Sequence, residues 1–217
     1  MSTNLSTGDV MRHLFFVLLT PCFVPILALG QNNPVQVRLP FHIQILPNAK
    51  AETNNRFGLA LWGILPDVNA PKSPFTTLLV GGLVWRQGRS WVEFMGGIRL
   101  NQNGYRDPIL NIRALYNQIP NISVSAEVQQ SFRVAKRRTV YSLAVDAPTG
   151  LWKLRAGVES ENIHFFGKSN SLGLGPRVAL PLPGKLPSHV KMLFAATYQI
   201  RNDNNFVRAY LVTNLLW

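Results

Sequence analysis

A period-two alternation recurs along most of this chain of 217 residues and limits what it can fold into. From Val92 to Leu100 every second residue is uncharged, while the residues between them include Glu93 and Arg99. Successive side chains of a strand point to opposite faces, so such a segment has one uncharged face and one charged face. Many short alternating segments separated by turn residues predict an all-β barrel or sandwich.

Ten such segments follow residue 56, and most are joined as hairpins. They cover residues 57–65, 76–86, 89–100, 109–118, 122–134, 139–147, 151–159, 172–180, 190–200 and 206–217. An eleventh segment, Val35–Leu46, alternates as regularly. It is either a periplasmic or lumenal strand, or the sign of a strand missed or overcounted near the amino terminus. Residues 31–55 therefore have an uncertain place, and the count is about ten, with twelve as the alternative.

The last segment, Phe206–Trp217, has one uncharged row that ends on an aromatic residue at the chain terminus, Trp217. Its other row contains Arg208 and Tyr210. This pattern resembles the closing strand of bacterial outer-membrane β-barrel proteins. The resemblance implies a closed antiparallel up-and-down transmembrane β-barrel in the bacterial outer membrane. It also implies two partners, membrane lipid and the barrel-assembly machinery that recognises a closing strand.

The amino-terminal residues 1–30 are predicted to be a secretory signal peptide. Arg12 precedes an apolar stretch, and Ala28 and Gly30 supply small residues before a cleavage site. An uncleaved anchor is the alternative. No later stretch approaches the roughly 20 apolar residues of a spanning helix. A mature chain that crosses a membrane would therefore do so as a closed barrel, and residues 31–217 are predicted to form that single domain.

Charge and cysteine content exclude several other classes. The net charge is +12, but basic residues are spread singly apart from Lys136, Arg137 and Arg138, which argues against a nucleic-acid partner. Cys22 is the only cysteine, so residues 31–217 contain no disulfide framework. The spacing of His42 and His164 fits no metal motif, no phosphate-binding loop is present, and no cofactor is predicted.

Aromatic residues and short turns gather at one end of the predicted strands. The turns at 87–88, 120–121 and 148–150 lie on the same side as the carboxyl terminus, which is the periplasmic side of an outer-membrane barrel. An aromatic girdle is typical of the membrane interface. The predicted girdle consists of Trp85, Trp91, Tyr116, Trp152 and Trp217.

The charged row is predicted to face the lumen. A lipocalin-like soluble barrel with the opposite orientation shows the same alternation, and the girdle, the aromatic terminus, the loop lengths and the missing disulfides favour the membrane orientation. The lumen then holds either a salt-bridged core or a narrow channel that favours anions. The predicted lumenal charges are Glu93, Arg99, Arg113, Glu127, Arg133, Lys153, Arg155, Glu159, Lys191 and Arg208.

A polar loop at Glu159–Ser171 offers the one catalytic alternative. It combines His164 with two glutamates and three serines, and a carboxylate, a histidine and a serine are chemically sufficient for hydrolysis of lipids or peptides. Polar loops contain these residue types by default. The sequence therefore predicts a non-enzymatic barrel, porin-like or structural, with no catalytic residues and an undetermined oligomeric state.

Overall fold

The computed structural model describes residues 35–47, 55–65, 77–100, 106–133, 137–167, 170–182, 187, 189–202 and 205–216. These residues form a closed β-barrel of eleven strands, and none of them belongs to a helix that is long and apolar enough to cross a membrane. The predicted signal peptide and Trp217 lie outside the described residues. The strands are β1 Val35–Ile45, β2 Asn55–Leu65, β3 Thr77–Gln87, β4 Ser90–Leu100, β5 Arg106–Tyr116, β6 Ser123–Ser131, β7 Arg138–Pro148, β8 Arg155–Phe165, β9 Gly173–Pro181, β10 Val190–Arg201 and β11 Phe206–Leu216.

The barrel closes between its first and last strands, and this pair is parallel. Consecutive strands pair antiparallel, while Val35 faces Val207 and Gln44 faces Leu216 across the closure. Strands that run alternately up and down meet in the same direction when an odd number of them closes a ring. The predicted closed antiparallel barrel is confirmed except at this seam. The predicted count of ten or twelve strands is wrong, because the alternating segment at Val35–Ile45 is itself part of the barrel wall.

The seam between β1 and β11 is interrupted. Pairing stops after Arg38 and resumes at Phe41. Pro40 has no N–H to donate to a ladder, which explains the gap. Side chains add a link across the seam, since Arg208 Nε donates a hydrogen bond of 3.1 Å to Gln36 Oε1.

We call the barrel end where β11 ends the closing rim and the opposite end the far rim. The three predicted turns all lie at the closing rim, as expected. The tightest joins Gln87 to Ser90, and Gly88 adopts a φ of 58° at its first central position, as in a type II′ hairpin turn. The loop lengths, however, do not distinguish the rims. Connections 101–105 and 202–205 at the far rim are no longer than 149–154 at the closing rim.

Glycines let neighbouring strands approach closely where the wall bends. A Cβ atom on Gly97 would lie 2.1 Å from the carbonyl oxygen of Leu79, and one on Gly82 would lie 2.0 Å from that of Phe94. Both glycines belong to inward-facing rows of β4 and β3. Such inward glycines allow the strong curvature that closing a barrel requires.

The interior contains one apolar region beside β2, β3 and β4. Inward residues there alternate with exposed outward ones such as Leu79 and Leu83. Trp91 and Ile64 pack against this region. Its buried members are Leu46, Ala60, Trp62, Leu78, Val80, Val84, Met95 and Ile109.

Candidate functional site

Charged side chains, together with neutral polar and small ones, occupy the rest of the barrel interior. Every aspartate and glutamate among the described residues forms an ion pair with an arginine or a histidine. Buried carboxylates require such partners, because an unpaired buried charge costs several kcal/mol. The paired carboxylates are Glu93, Asp107, Glu127, Asp146, Glu159 and Glu161.

Glu93 on β4 is the centre of the first group and is 0% exposed. His42 Nε2 lies 2.5 Å from its Oε1 atom, and Gln44 Nε2 donates a 2.7 Å hydrogen bond to the same oxygen. Arg113 Nη1 donates to the other oxygen, Oε2, at 3.2 Å. The group thus joins β1, β4 and β5 through the lumen. Its carboxylate is fully engaged by three donors.

Arg113 is also held by two tryptophan rings. Its guanidinium carbon lies 3.7 Å from the ring centroid of Trp62 and 5.3 Å from that of Trp91. Such cation–π contacts strengthen when the cation is removed from water. Trp91 therefore points into the barrel and does not belong to the predicted interfacial girdle, because it shares the inward row of β4 with Glu93.

Glu159 on β8 is the centre of the second group. Arg177 Nη1 and Thr197 Oγ1 donate to Oε2, the latter at 3.1 Å. Gln199 Nε2 and Tyr210 OH donate to Oε1, at 3.3 Å and 2.9 Å. Four strands, β8 to β11, are cross-linked in this way. A carboxylate that accepts four hydrogen bonds serves as a structural acceptor and has little room for a substrate.

Glu161, two residues along the same strand, extends this network toward the far rim. Arg201 Nη2 and Arg208 Nη1 each donate to one of its oxygens at 2.6 Å. Arg38 Nη1 from β1 lies 3.7 Å from Oε2. Ion pairs therefore bridge the parallel seam, with β1 and β11 both tied to β8.

Two further carboxylates complete the lumenal pairs, one near each rim. Near the closing rim, Asp146 pairs with Arg155 and lies 3.9 Å from Arg177 Nε. Near the far rim, Asp107 lies 3.8 Å from Arg99 Nη1. Arg99 in turn donates to Gln129.

The structure brings seven of the ten predicted lumenal charges into the interior. Arg133 is half-buried just beyond β6, and its backbone N–H donates to Asp107. Lys153 is exposed in the turn before β8, and Lys191 is exposed near the closing-rim end of β10. Neither lysine lies in the lumen, since the strands hold these positions at the rim. The seven interior residues are Glu93, Arg99, Arg113, Glu127, Arg155, Glu159 and Arg208.

The structure places three residues of the predicted girdle on the outside or in a turn at the closing rim. Trp85 and Tyr116 point outward near the closing rim and are exposed, and Trp152 is exposed in the turn 149–154. Trp152 adopts a φ of 55° in this turn. Exposed Phe132 and Phe166 stand near the far rim, where the sequence analysis placed no aromatic residues.

The structure does not assemble the alternative catalytic set. Strand β8 extends to Phe165, so much of the predicted loop is strand. Glu159 and Glu161 face inward, whereas His164 is on the outward row and exposed. Carboxylate and imidazole are therefore on opposite faces of the wall. Within the described ranges, no three His, Cys, Asp or Glu side chains are placed to hold a metal ion.

Several interior residues were not predicted from the sequence. Arg38 and His42 lie on a segment whose place was uncertain, and Glu161 lay in the predicted loop. Arg177 on β9 was not assigned to the lumen, although it pairs with Glu159. A signal was present for each, since all four continue the charged row of an alternating segment.

Comparison with known proteins gives no match. No family model, no curated protein and no solved structure is significantly similar to the chain. The evidence for its function therefore comes from the structure of the barrel.

Proposed function

We propose that this protein is an outer-membrane β-barrel that spans the bilayer with its eleven strands and whose interior is closed by ion pairs. The role is structural and non-enzymatic, and the resting barrel does not conduct. One observation carries the proposal: large apolar side chains point outward and are exposed, while charged side chains are buried inside.

The outward apolar surface is continuous. Six residues on β2 to β7 lie side by side in register, and their exposed fractions run from 41% at Tyr141 to 64% at Leu83. Transfer of each half-exposed side chain from water to an apolar environment is favourable by about 1 kcal/mol. Contact with lipid therefore stabilises this row relative to contact with water. The row consists of Leu59, Leu83, Phe94, Ile112, Val128 and Tyr141.

The dimensions support the membrane placement. Most strands contain 11 residues, as β3 does. With a rise of about 3.3 Å per residue and a tilt of about 40°, such a strand spans roughly 25–28 Å along the barrel axis, close to the apolar band of membrane barrels. Trp85 and Tyr116 near one rim and Phe132 and Phe166 near the other mark the positions expected of the two interfaces.

The filled interior supports a closed barrel. A water-filled pore would leave its lining accessible, but Glu93, Asn111 and Gln199 from three different strands are 0% exposed. Eleven strands enclose a wider space than the roughly eight whose own side chains just fill a barrel. Long side chains such as Arg113 and Arg208 and the ring of Trp62 fill that space.

The odd number of strands is relevant to whether the proposed membrane is bacterial. Bacterial single-chain barrels have even counts, and membrane barrels with an odd number of strands exist outside bacteria. The bacterial outer membrane and its assembly machinery remain our proposal because the alternation of Phe206–Leu216 resembles the closing strand of that class.

Fractionation of cells that produce the protein tests the placement. We expect recovery in the outer-membrane fraction, retention there after a urea or carbonate wash, and faster gel migration when the sample is not boiled. Recovery in the soluble fraction without detergent would refute the membrane placement and favour a soluble ligand-binding barrel.

Planar-bilayer recording tests closure separately. The wild-type protein is expected to give no stable conductance steps. Glu159→Ala with Arg208→Ala would open part of the interior network and is expected to admit small ions. Steady conductance by the wild-type protein would contradict the closed state and favour a narrow pore.

A further inference from the structure

Inward-facing arginines surround the lumen just inside the far rim. Each comes from a different strand, β1, β4, β7, β10 or β11, and each lies within four residues of the far-rim end of that strand. They face one another from around the barrel wall. These residues, which we call the arginine ring, are Arg38, Arg99, Arg138, Arg201 and Arg208.

Two carboxylates of the described residues form ion pairs with the arginine ring. Glu161 forms ion pairs with Arg38, Arg201 and Arg208. Asp107, on β5, lies 3.8 Å from Arg99 Nη1 and also accepts a hydrogen bond from a serine hydroxyl. Five guanidiniums set against two carboxylates, with Glu127 acting on Arg99 from a greater distance, leave the ring with an excess of positive charge among the described residues.

Arg138 contributes most clearly to that excess. It interacts with Asp107 and Glu161 through space and is repelled by Arg38 and Arg99. No direct ion pair of the described residues includes its guanidinium. The residue begins β7 at the inner face of the far rim, where the other members of the ring also lie.

A buried donor gives independent support for an acceptor at this place. Arg201 Nε is buried and has no hydrogen-bond acceptor among the described residues, although Nη1 and Nη2 of the same side chain bind Ser171 and Glu161. Buried N–H groups are rarely left without a partner. An anion with several oxygens could accept a hydrogen bond from Arg201 Nε and offset the positive charge of Arg138 at the same time.

We propose that the arginine ring binds a phosphate-type oxyanion in the far-rim mouth of the barrel. A tetrahedral oxyanion offers oxygens in several directions and matches the paired donors of a guanidinium. Its negative charges offset the excess positive charge of the ring. Rings of basic side chains serve the same purpose in anion-selective pores. The site depends on the inward orientation of the ring and not on membrane placement.

Titration of the purified, folded protein with inorganic phosphate tests the site. Calorimetry at constant ionic strength in chloride buffer is expected to show saturable binding, and phosphate is expected to raise the thermal midpoint. Arg138→Gln removes one charged donor without breaking an ion pair and should weaken phosphate binding at least about tenfold. Arg89→Gln, in the exposed turn at the closing rim, is the matched control and should bind as the wild type does.

The source of the phosphate group is tested in a second arm. Reconstitution in vesicles of phosphatidylcholine with and without phosphatidic acid shows whether a lipid phosphate occupies the ring. Stabilisation by phosphatidic acid that Arg138→Gln abolishes would indicate a headgroup ligand, whereas stabilisation by inorganic phosphate alone would indicate a soluble anion.

Three results would overturn the proposal: no binding of phosphate or phosphatidic acid to folded protein, equal stabilisation by chloride, or unchanged affinity in Arg138→Gln. Circular dichroism of each variant confirms the folded barrel. Because inorganic phosphate can be titrated on either a detergent-solubilised or a soluble barrel, failure of this site is distinguishable from failure of the membrane proposal.

Discussion

Glu159→Gln is expected to destabilise the barrel severely. The substitution keeps the shape of the side chain but removes its charge and replaces one acceptor oxygen with an NH₂ donor. Arg177 and Thr197 would then face a donor, or Gln199 and Tyr210 would, depending on how the amide turns. Removing one partner of a buried ion pair costs about 3–5 kcal/mol, which is a large part of the stability of an ordinary domain.

Glu127→Gln is the matched control. Its side chain is 25% exposed, lies 3.8 Å from Arg113 and accepts one 2.6 Å hydrogen bond from Asn111, so it has fewer hydrogen bonds and a longer ion pair than Glu159. We expect a smaller loss of about 1–2 kcal/mol, because the amide oxygen of the glutamine can still accept the hydrogen bond from Asn111. Urea titration of both variants, folded in lipid vesicles and followed by tryptophan fluorescence, gives the two free energies of unfolding.

A double-mutant cycle between Glu159→Gln and Arg177→Met separates the pair from other effects. We expect a coupling free energy of at least about 1 kcal/mol between Glu159 and Arg177, because groups in direct contact couple by about 0.5–3 kcal/mol. The account of a lumen held together by ion pairs would be refuted if Glu159→Gln cost no more than Glu127→Gln.

Two further predictions concern the barrel wall. Gly97→Ala should destabilise the barrel in the same urea assay, because its Cβ would lie 2.1 Å from a carbonyl oxygen, whereas Gly96→Ala, with its nearest atom at 3.9 Å, should be tolerated; equal effects would contradict the close strand approach. Val37→Cys with Ala209→Cys, in a Cys22→Ser background, should form a disulfide under mild oxidation, because these residues face each other across the parallel seam. No cross-link in this variant, together with a cross-link in a matched variant that has its cysteines on β2 and β11, would instead indicate a ten-strand barrel.

The wall of the barrel was predictable because alternation is a local property. Each hairpin from Thr77 to Arg201 follows from period-two patterning and turn residues within about 25 positions. The closure was not predictable in the same way. Whether Val35–Ile45 pairs with β2, with β11 or with neither depends on a contact between the two ends of the chain, and alternation does not encode partners.

The interior was predictable in kind but not in detail. Alternation placed Glu93, Arg113 and Glu159 in the lumen, because each sits on the charged row of a strand. It missed Glu161, because the polar residues at the end of β8 have the composition of a loop. It predicted Lys191 to be in the lumen, although Lys191 lies at the start of β10, at the rim. Which arginine pairs with which carboxylate depends on the circular order of eleven strands, and only the closed barrel provides it.

The proposed lipid-facing belt, which is the outward row from Leu59 to Tyr141, is tested most directly by spin labels at Leu59, Leu83 and Phe94. These residues point outward and face one another across β2, β3 and β4. In vesicles, each label should be relaxed strongly by oxygen and weakly by a water-soluble nickel complex, while a label at Arg89 in the turn should show the reverse. Strong relaxation by the nickel complex at all three belt positions would show that water covers this face and would contradict the account.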